Sequence, residues 1–174
     1  MKKKLIGVAA LLLSLNVSAA NDAAWMRYCS ISPDGTQIAF SYQGDIYTVS
    51  ANGGRAYQLT TNPAHDTRPI WSPDGKQIAF ASDRLGGMDI YVVNKDGGVP
   101  TRITTHSGNE TPLAFKDNGH ILFLANILPS ADDMQFASSQ FPQVYEVSTH
   151  SLRLGKFAFV PRANGNLSFK KVVD

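Results

Sequence analysis

One segment of this chain is written twice, and that repetition limits what the chain can fold into more than any other feature. Residues 31–60 read ISPDGTQIAFSYQGDIYTVSANGGRAYQLT, and residues 71–104 read WSPDGKQIAFASDRLGGMDIYVVNKDGGVPTRIT. Ser32, Pro33, Asp34 and Gly35 each meet an identical residue 40 positions later, at Ser72, Pro73, Asp74 and Gly75. A more worn third copy begins at Phe115, where FKDNGHILF replaces WSPDGKQIAF and Gly119 falls 44 residues after Gly75. The joining segments agree: TTNPAHDTRPIW and TTHSGNETPLAF each carry a threonine pair, a central acid (Asp66 or Glu110) and a closing aromatic.

A period of about 40 residues, with short β-forming runs separated by turn residues, is the pattern of β-propeller blades. Each copy parses into four strands. The first ends at Ile31, Trp71 or Phe115, and Pro-Asp-Gly then reverses the chain, proline presetting φ, aspartate capping backbone donors and glycine taking the positive φ. The second strand spans 37–41 or 77–82, a nearly continuous apolar run suited to burial on both faces. The third spans 45–50 or 89–94, rich in β-branched and aromatic residues. Asn52-Gly53-Gly54 or Asp96-Gly97-Gly98 forms the next hairpin, and the fourth strand covers 57–59 or 101–103. The expected fold is therefore all-β, a partial propeller of about three four-stranded blades at about 25–60, 61–104 and 105–148. Most repeated residues read as scaffold. Trp71 is expected to fill the gap between blades, and turn chemistry accounts for Asp34 and Asp74.

Residues 1–20 have the composition of a secretory leader: Lys2, Lys3 and Lys4, an apolar run over 5–15, and the small-residue box Val17-Ser18-Ala19. That reading makes the protein exported, to the periplasm or beyond. Its apolar core is short for a membrane span, and no later stretch is long enough for one. Cys29, the single cysteine, lies about ten residues past the box among polar neighbours, which argues against lipidation, and one cysteine makes no internal disulfide. Removing three of the sixteen basic residues with the leader leaves thirteen against fourteen acids, with no basic patch for nucleic acid.

Three blades fall short of the four to eight in which propellers close, and an arc leaves apolar faces and strand edges in water. The expectation is that further blades follow or that copies assemble between chains. After Val144 the third copy loses its glycine pair, and residues 152–173 hold five basic residues and no acid. This tail, 149–174, reads either as a truncated or frame-shifted segment or as a divergent cap.

The stretch from Trp25 through DIYVV at 89–93 resembles the propeller repeats called PD40 or WD40-like, shared by TolB-type proteins and tricorn-type peptidases. The lead-in Trp25-Met26-Arg27-Tyr28 behind a leader, and the long insertion at 126–143 before VYEV, narrow the resemblance to the start of an exported tricorn-type S41 serine peptidase. The likeness covers 25–148 and departs at Cys29, where the pattern has proline. It implies a module that gates peptide substrates or binds proteins, ahead of a peptidase domain that would hold the catalytic residues. A TolB-like interaction propeller is the alternative, and an exported α/β-hydrolase peptidase with an N-terminal propeller is a third.

No catalytic, cofactor or metal residue is assigned within the chain. His65-Asp66 is the nearest approach to a catalytic pair, but no nucleophile turn accompanies it, and loop hydrogen bonding is the expected role. His106, His120 and His150 have no metal-ligand spacing among themselves or with Cys29, and His120 is expected in an exposed turn. Asp83, Asp89, Asp96, Asp132 and Asp133 do not form the alternating donors of a calcium loop, and Gly86-Gly87 and Gly97-Gly98 lie in hairpins rather than at a phosphate-binding strand-to-helix turn.

Overall fold

A computed structural model describes residues 25–105, 108–125 and 143–150, and the backbone of 154–161 and 167–172. Residues 1–24, which include the expected leader, the insertion at 126–142, His106, Asp132 and Asp133 lie outside the described residues.

The two clear copies of the repeat form two antiparallel meanders of four strands. The first sheet holds β1 (Arg27–Ile31), β2 (Gln37–Tyr42), β3 (Asp45–Ser50) and β4 (Tyr57–Gln58), in sequence order. The second holds β5 (Asp66–Trp71), β6 (Gln77–Leu85), β7 (Gly87–Asn94) and β8 (Thr101–Arg102). Propeller blades are the architecture this repetition builds. The third sheet has five strands instead of the expected four: β9 (Glu110–Asp117), β10 (His120–Ala125), β11 (Gln143–Ser148), β12 (Leu154–Pro161) and β13 (Leu167–Val172). The reason is local. The two-residue outer strands β4 and β8 follow glycine-pair hairpins, whereas LGKFAFVP follows no Gly-Gly pair and keeps pairing, first with β11 and then with β13.

The SPDG turn is the same small machine in both copies. The Ser32 hydroxyl donates to Asp34 (2.6 Å) and accepts from the Gln37 N–H (2.9 Å), while the Thr36 N–H donates to Asp34 (3.0 Å). Ser72, Asp74, Lys76 and Gln77 repeat these bonds. Gly35 and Gly75 take φ of 72° and 68°, which a Cβ would resist. In the worn copy Asp117, standing where the other copies have proline, accepts from the Gly119 N–H and from His120 Nδ1 (2.8 Å), so an aspartate caps this turn too, one position earlier.

Sheets pack by a fixed rule set by strand alternation. Cross-strand partners Ile78–Val93 and Phe80–Tyr91 of the second blade share one face, which packs on Ala39 and Ile46 of the first. The equivalent face of the third blade, Ile121, Val147, Phe123 and Tyr145, packs on Ala79, Ile90 and Val92 of the second. A Phe–Tyr face thus meets a smaller Ala–Ile face at each seam. Trp71 sits in the first seam, 8% exposed, its indole N–H donating to the Ser30 carbonyl (3.0 Å), which is the gap-filling role its sequence position predicts.

Candidate functional site

The first strand of each blade is its inner strand: β1, β5 and β9 touch in succession, whereas the short β4 and β8 lie at the outer edge of their sheets. Each inner strand carries a bulge near its start. The register shifts between Arg27 and Ser30, between Thr67 and Ile70, and opposite Leu122 and Phe123 in the third blade. A bulge adds an unpaired residue and re-aims its side chain. In the first two blades the bulged residues are Tyr28 (φ 55°) and Arg68 (φ 56°), 40 positions apart, both in the left-handed region that non-glycine residues avoid.

These two residues meet across adjacent blades. The Arg68 guanidinium lies 4.3 Å from the centre of the Tyr28 ring, and its Nη2 is 3.5 Å from the phenol oxygen. Arg27 lies over the Trp25 ring at 5.9 Å. Tyr28 is 43% exposed and Trp25 62%, so the paired rings and cations face solvent. They border a cavity of about 520 Å³ between the inner strands, at the end of the sheets opposite the SPDG turns, with Gln43-Gly44, His65, Thr67 and Glu110 also on its wall.

Beneath this mouth the joining-segment acids are buried. Asp66 is fully buried and pairs with Arg84 (2.7 Å), whose guanidinium also lies 5.0 Å from the Tyr91 ring. Its backbone N–H donates to the Gly44 carbonyl (2.7 Å), tying the second blade to the β2–β3 turn of the first. Glu110, 1% exposed, accepts from the Thr104 hydroxyl (3.0 Å). Burial pushes its carboxyl up to about 7; the neighbouring Asp89 charge adds to the rise, and the Thr104 bond and Arg102 oppose it. Arg102 Nη2 lies 2.7 Å from Asp89 Oδ2, a close ion pair without hydrogen-bond alignment. Thr104 also accepts from the Ile90 N–H (2.8 Å), as Thr60 accepts from Ile46 (2.9 Å), so the first threonine of each pair locks the end of its own blade.

The polar residues weighed in the sequence therefore separate by role. Asp66 is a seam residue, and His65 lines the mouth, with its backbone N–H donating to Asp83 (2.7 Å) and no hydrogen bond from its ring to a hydroxyl among the described residues. Asp96 pairs with Lys95 on the surface, and His120 is half-exposed in its turn. Gly86, Gly97 and Gly98 hold positive φ in hairpins. Among the described residues no three His, Cys, Asp or Glu side chains gather as metal ligands. The mouth offers aromatic faces and two arginines to a ligand, and among the described residues no hydroxyl or thiol on its wall is hydrogen-bonded to the His65 ring. Sequence reasoning missed Tyr28 and Arg68 as a pair. Their identical repeat position was the available signal, but a bulge is a matter of register between strands and leaves no composition mark.

Comparison with known proteins agrees with this architecture. Residues 23–172 match the family described as the tricorn protease N-terminal beta propeller domain, so the match runs on past Ser148 through the tail. Over 43 residues the chain is 51% identical to the Tol-Pal system protein TolB of Bordetella pertussis, covering 24% of this chain and 10% of that protein. The fold is similar to a putative TolB from Agrobacterium tumefaciens, with a TM-score of 0.59 at 24% identity, covering 83% of this chain and 48% of that one. It is also similar to the tricorn protease crystal structure, with a TM-score of 0.53 at 17% identity over 71% of this chain and 13% of that one. The chain thus spans about a tenth of the length of its TolB relative and less than half of these solved structures. With residues 23–172 matched, the chain belongs to the tricorn protease N-terminal β-propeller domain family.

Proposed function

We propose that this chain is the N-terminal propeller portion of an exported tricorn-like serine peptidase, in which it receives polypeptide substrate and contributes no catalytic group. The observation that carries the reading is the family match over residues 23–172, and the mouth at the inner strands gives it a place to act. An extended polypeptide offers apolar side chains to Trp25 and Tyr28 and carboxylates or carbonyls to Arg27 and Arg68. The leader composition of residues 1–20 supports export, and a mature terminus near Asn21 in protein recovered outside the cytoplasm is the expected result.

The test uses the parent peptidase. Arg68→Ala and Tyr28→Ala should lower hydrolysis of long unfolded polypeptides and leave cleavage of short chromogenic peptides unchanged, while this chain expressed alone should cleave neither. Proteolysis by the chain alone, or an equal loss on both substrates, would overturn the gating role. A second reading, a TolB-like propeller that binds a protein partner without any peptidase, is favoured by the 51% identity over 43 residues. It predicts that the same two variants lose capture of a folded partner in a protein that has no proteolytic activity.

A further inference from the structure

The two seams treat the same four repeat positions differently. Asp45, Gln58, Thr60 and Asp66 are met 44 residues later by Asp89, Arg102, Thr104 and Glu110. At the first seam each acid has a donor. Half-buried Asp45 accepts from Gln58 Nε2 (2.9 Å) and from the Thr60 hydroxyl (3.2 Å), and buried Asp66 is paired with Arg84 at 2.7 Å. At the second seam the Thr104 hydroxyl donates to Glu110 instead (3.0 Å), and the glutamine is replaced by Arg102, 2.7 Å from Asp89. Asp89 and Glu110 are both 1% exposed, and Asp89 Oδ1 and Glu110 Oε1 are buried without a hydrogen-bond donor among the described residues.

This cluster is one positive charge short. Two ionised carboxylates around a single guanidinium would leave a net negative charge inside the seam, which burial penalises heavily. A proton on Glu110 removes that charge and gives it a donor to share with Asp89, which acts on Glu110 by hydrogen bonding as well as by charge. Burial, with Asp89 adding to it, raises the Glu110 carboxyl to about 7. The other charges on the strands packed against β9 are already engaged or lie at its far end: Arg84 of β6 holds Asp66 of β5, exposed Asp83 accepts the His65 N–H, and His120 of β10 pairs with Asp117. Lys116 of β9 itself is on Glu146, and the cross-strand partner of Glu110 is Ala125. Arg68 of β5, Arg27 of β1 and His65 share the wall of the mouth with Glu110.

We propose that Glu110 is a proton-operated latch between the second and third blades: with its proton it holds β9 against Thr104 and Asp89, and without it the carboxylate leaves Asp89 and turns into the mouth, where it weakens the attraction of Arg27 and Arg68 for an anionic ligand. The released proton goes to solvent. The latch acts on any anion that enters the mouth, so it stands or falls separately from the peptidase reading.

Trp25 reports on the mouth, because it lines it at 62% exposed while the other tryptophan, Trp71, is 8% exposed. The experiment is fluorescence quenching of the full chain by iodide, an anion, and by neutral acrylamide on both sides of pH 7. Iodide quenching should fall about twofold as pH rises through 7, the effect of one added negative charge within a Debye length, and acrylamide quenching should stay level. Glu110→Gln should hold the low-pH value throughout, Asp89→Asn should move the step to lower pH, and His65→Gln should keep the step. Amide exchange over residues 109–116, corrected for its intrinsic pH dependence, should quicken over the same range in the wild type and not in Glu110→Gln. If Glu110→Gln does not fold, as judged by circular dichroism, the Asp89→Asn shift and the wild-type exchange decide. A flat wild-type iodide profile, a step that survives Glu110→Gln or vanishes in His65→Gln, an Asp89→Asn step left in place, or exchange that does not change with pH would each refute the latch.

Discussion

The first and second blades share the same turn chemistry, the same Phe–Tyr stack and nearly the same second strand, QIAFSY against QIAFAS, yet they differ in what their common face touches. In the second blade that face lies in a seam; in the first, no other described blade packs on it, and Ile31 is exposed and Ile38, Tyr47 and Val49 half-buried, although Phe40 is buried. The residues changed accordingly are few: Trp71 against Ile31, and Asp66 against Met26, which is 45% exposed. What the pair teaches is that the repeat specifies a blade, while burial of the blade depends on a neighbour.

The largest expected contrast is at the aromatic position. Trp71→Ala should cost about 4 kcal/mol by urea denaturation, since it empties a packed site and removes the indole bond to Ser30. Ile31→Ala should cost less than about 0.5 kcal/mol at low protein concentration, as exposed substitutions do. Equal costs would break the comparison outright.

Next comes the inner-strand acid. Asp66→Ala strands the Arg84 guanidinium beside Phe80 and Tyr91 and should cost about 3 kcal/mol, somewhat below a fully buried pair because Arg84 is 13% exposed. Met26→Ala, at the same repeat position, should leave the denaturation midpoint nearly unmoved.

The third copy sharpens the contrast through pH. Its acid, Glu110, has no ion-pair partner among the described residues and holds its proton up to about 7, above the ordinary 4.5. The folded chain therefore binds a proton that the unfolded chain has released between these values. This contribution is full below pH 4.5 and is lost as pH rises through 7. Thermal melts should show that decline, and Glu110→Gln should flatten it; a decline that persists in the variant would place its source elsewhere.

The smallest effect tests what the blades have in common. Thr60→Val should cost about 1 kcal/mol by leaving the Ile46 N–H without its acceptor and Asp45 without its donor, and Thr104→Val somewhat more, because the acid its hydroxyl serves, Glu110, is buried whereas Asp45 is half-buried. A larger loss at Thr60 would reverse the expected order.

The strands were legible because their signals are local. The runs at 37–41, 77–82, 45–50 and 89–94 correspond to β2, β6, β3 and β7 within a few residues, since Pro-Asp-Gly and Asn-Gly-Gly set both ends. The role of Trp71 was legible for the same reason, as the aromatic that closes a repeat next to a neighbouring blade. The fifth strand of the third sheet was not, because the loss of the glycine pair hides the pairing of β12 and β13 behind a change of composition. Nor was the mouth legible as a site. Tyr28 and Arg68 are ordinary residues in the chain, and only two bulges and the contact of β1 with β5 turn them toward each other.

The sequence by itself determined the blade: its period, its three reversals and the alternation that gives each sheet two apolar faces, all of them consequences of residue type at fixed spacing. The tertiary structure decided which faces are paired and which are bare, that Asp66 meets Arg84 while Glu110 meets Asp89 and Thr104, and that the inner strands open on a mouth lined with arginine and aromatic rings. Those outcomes depend on which blade lies beside which, and identical repeats carry no local mark of their neighbours.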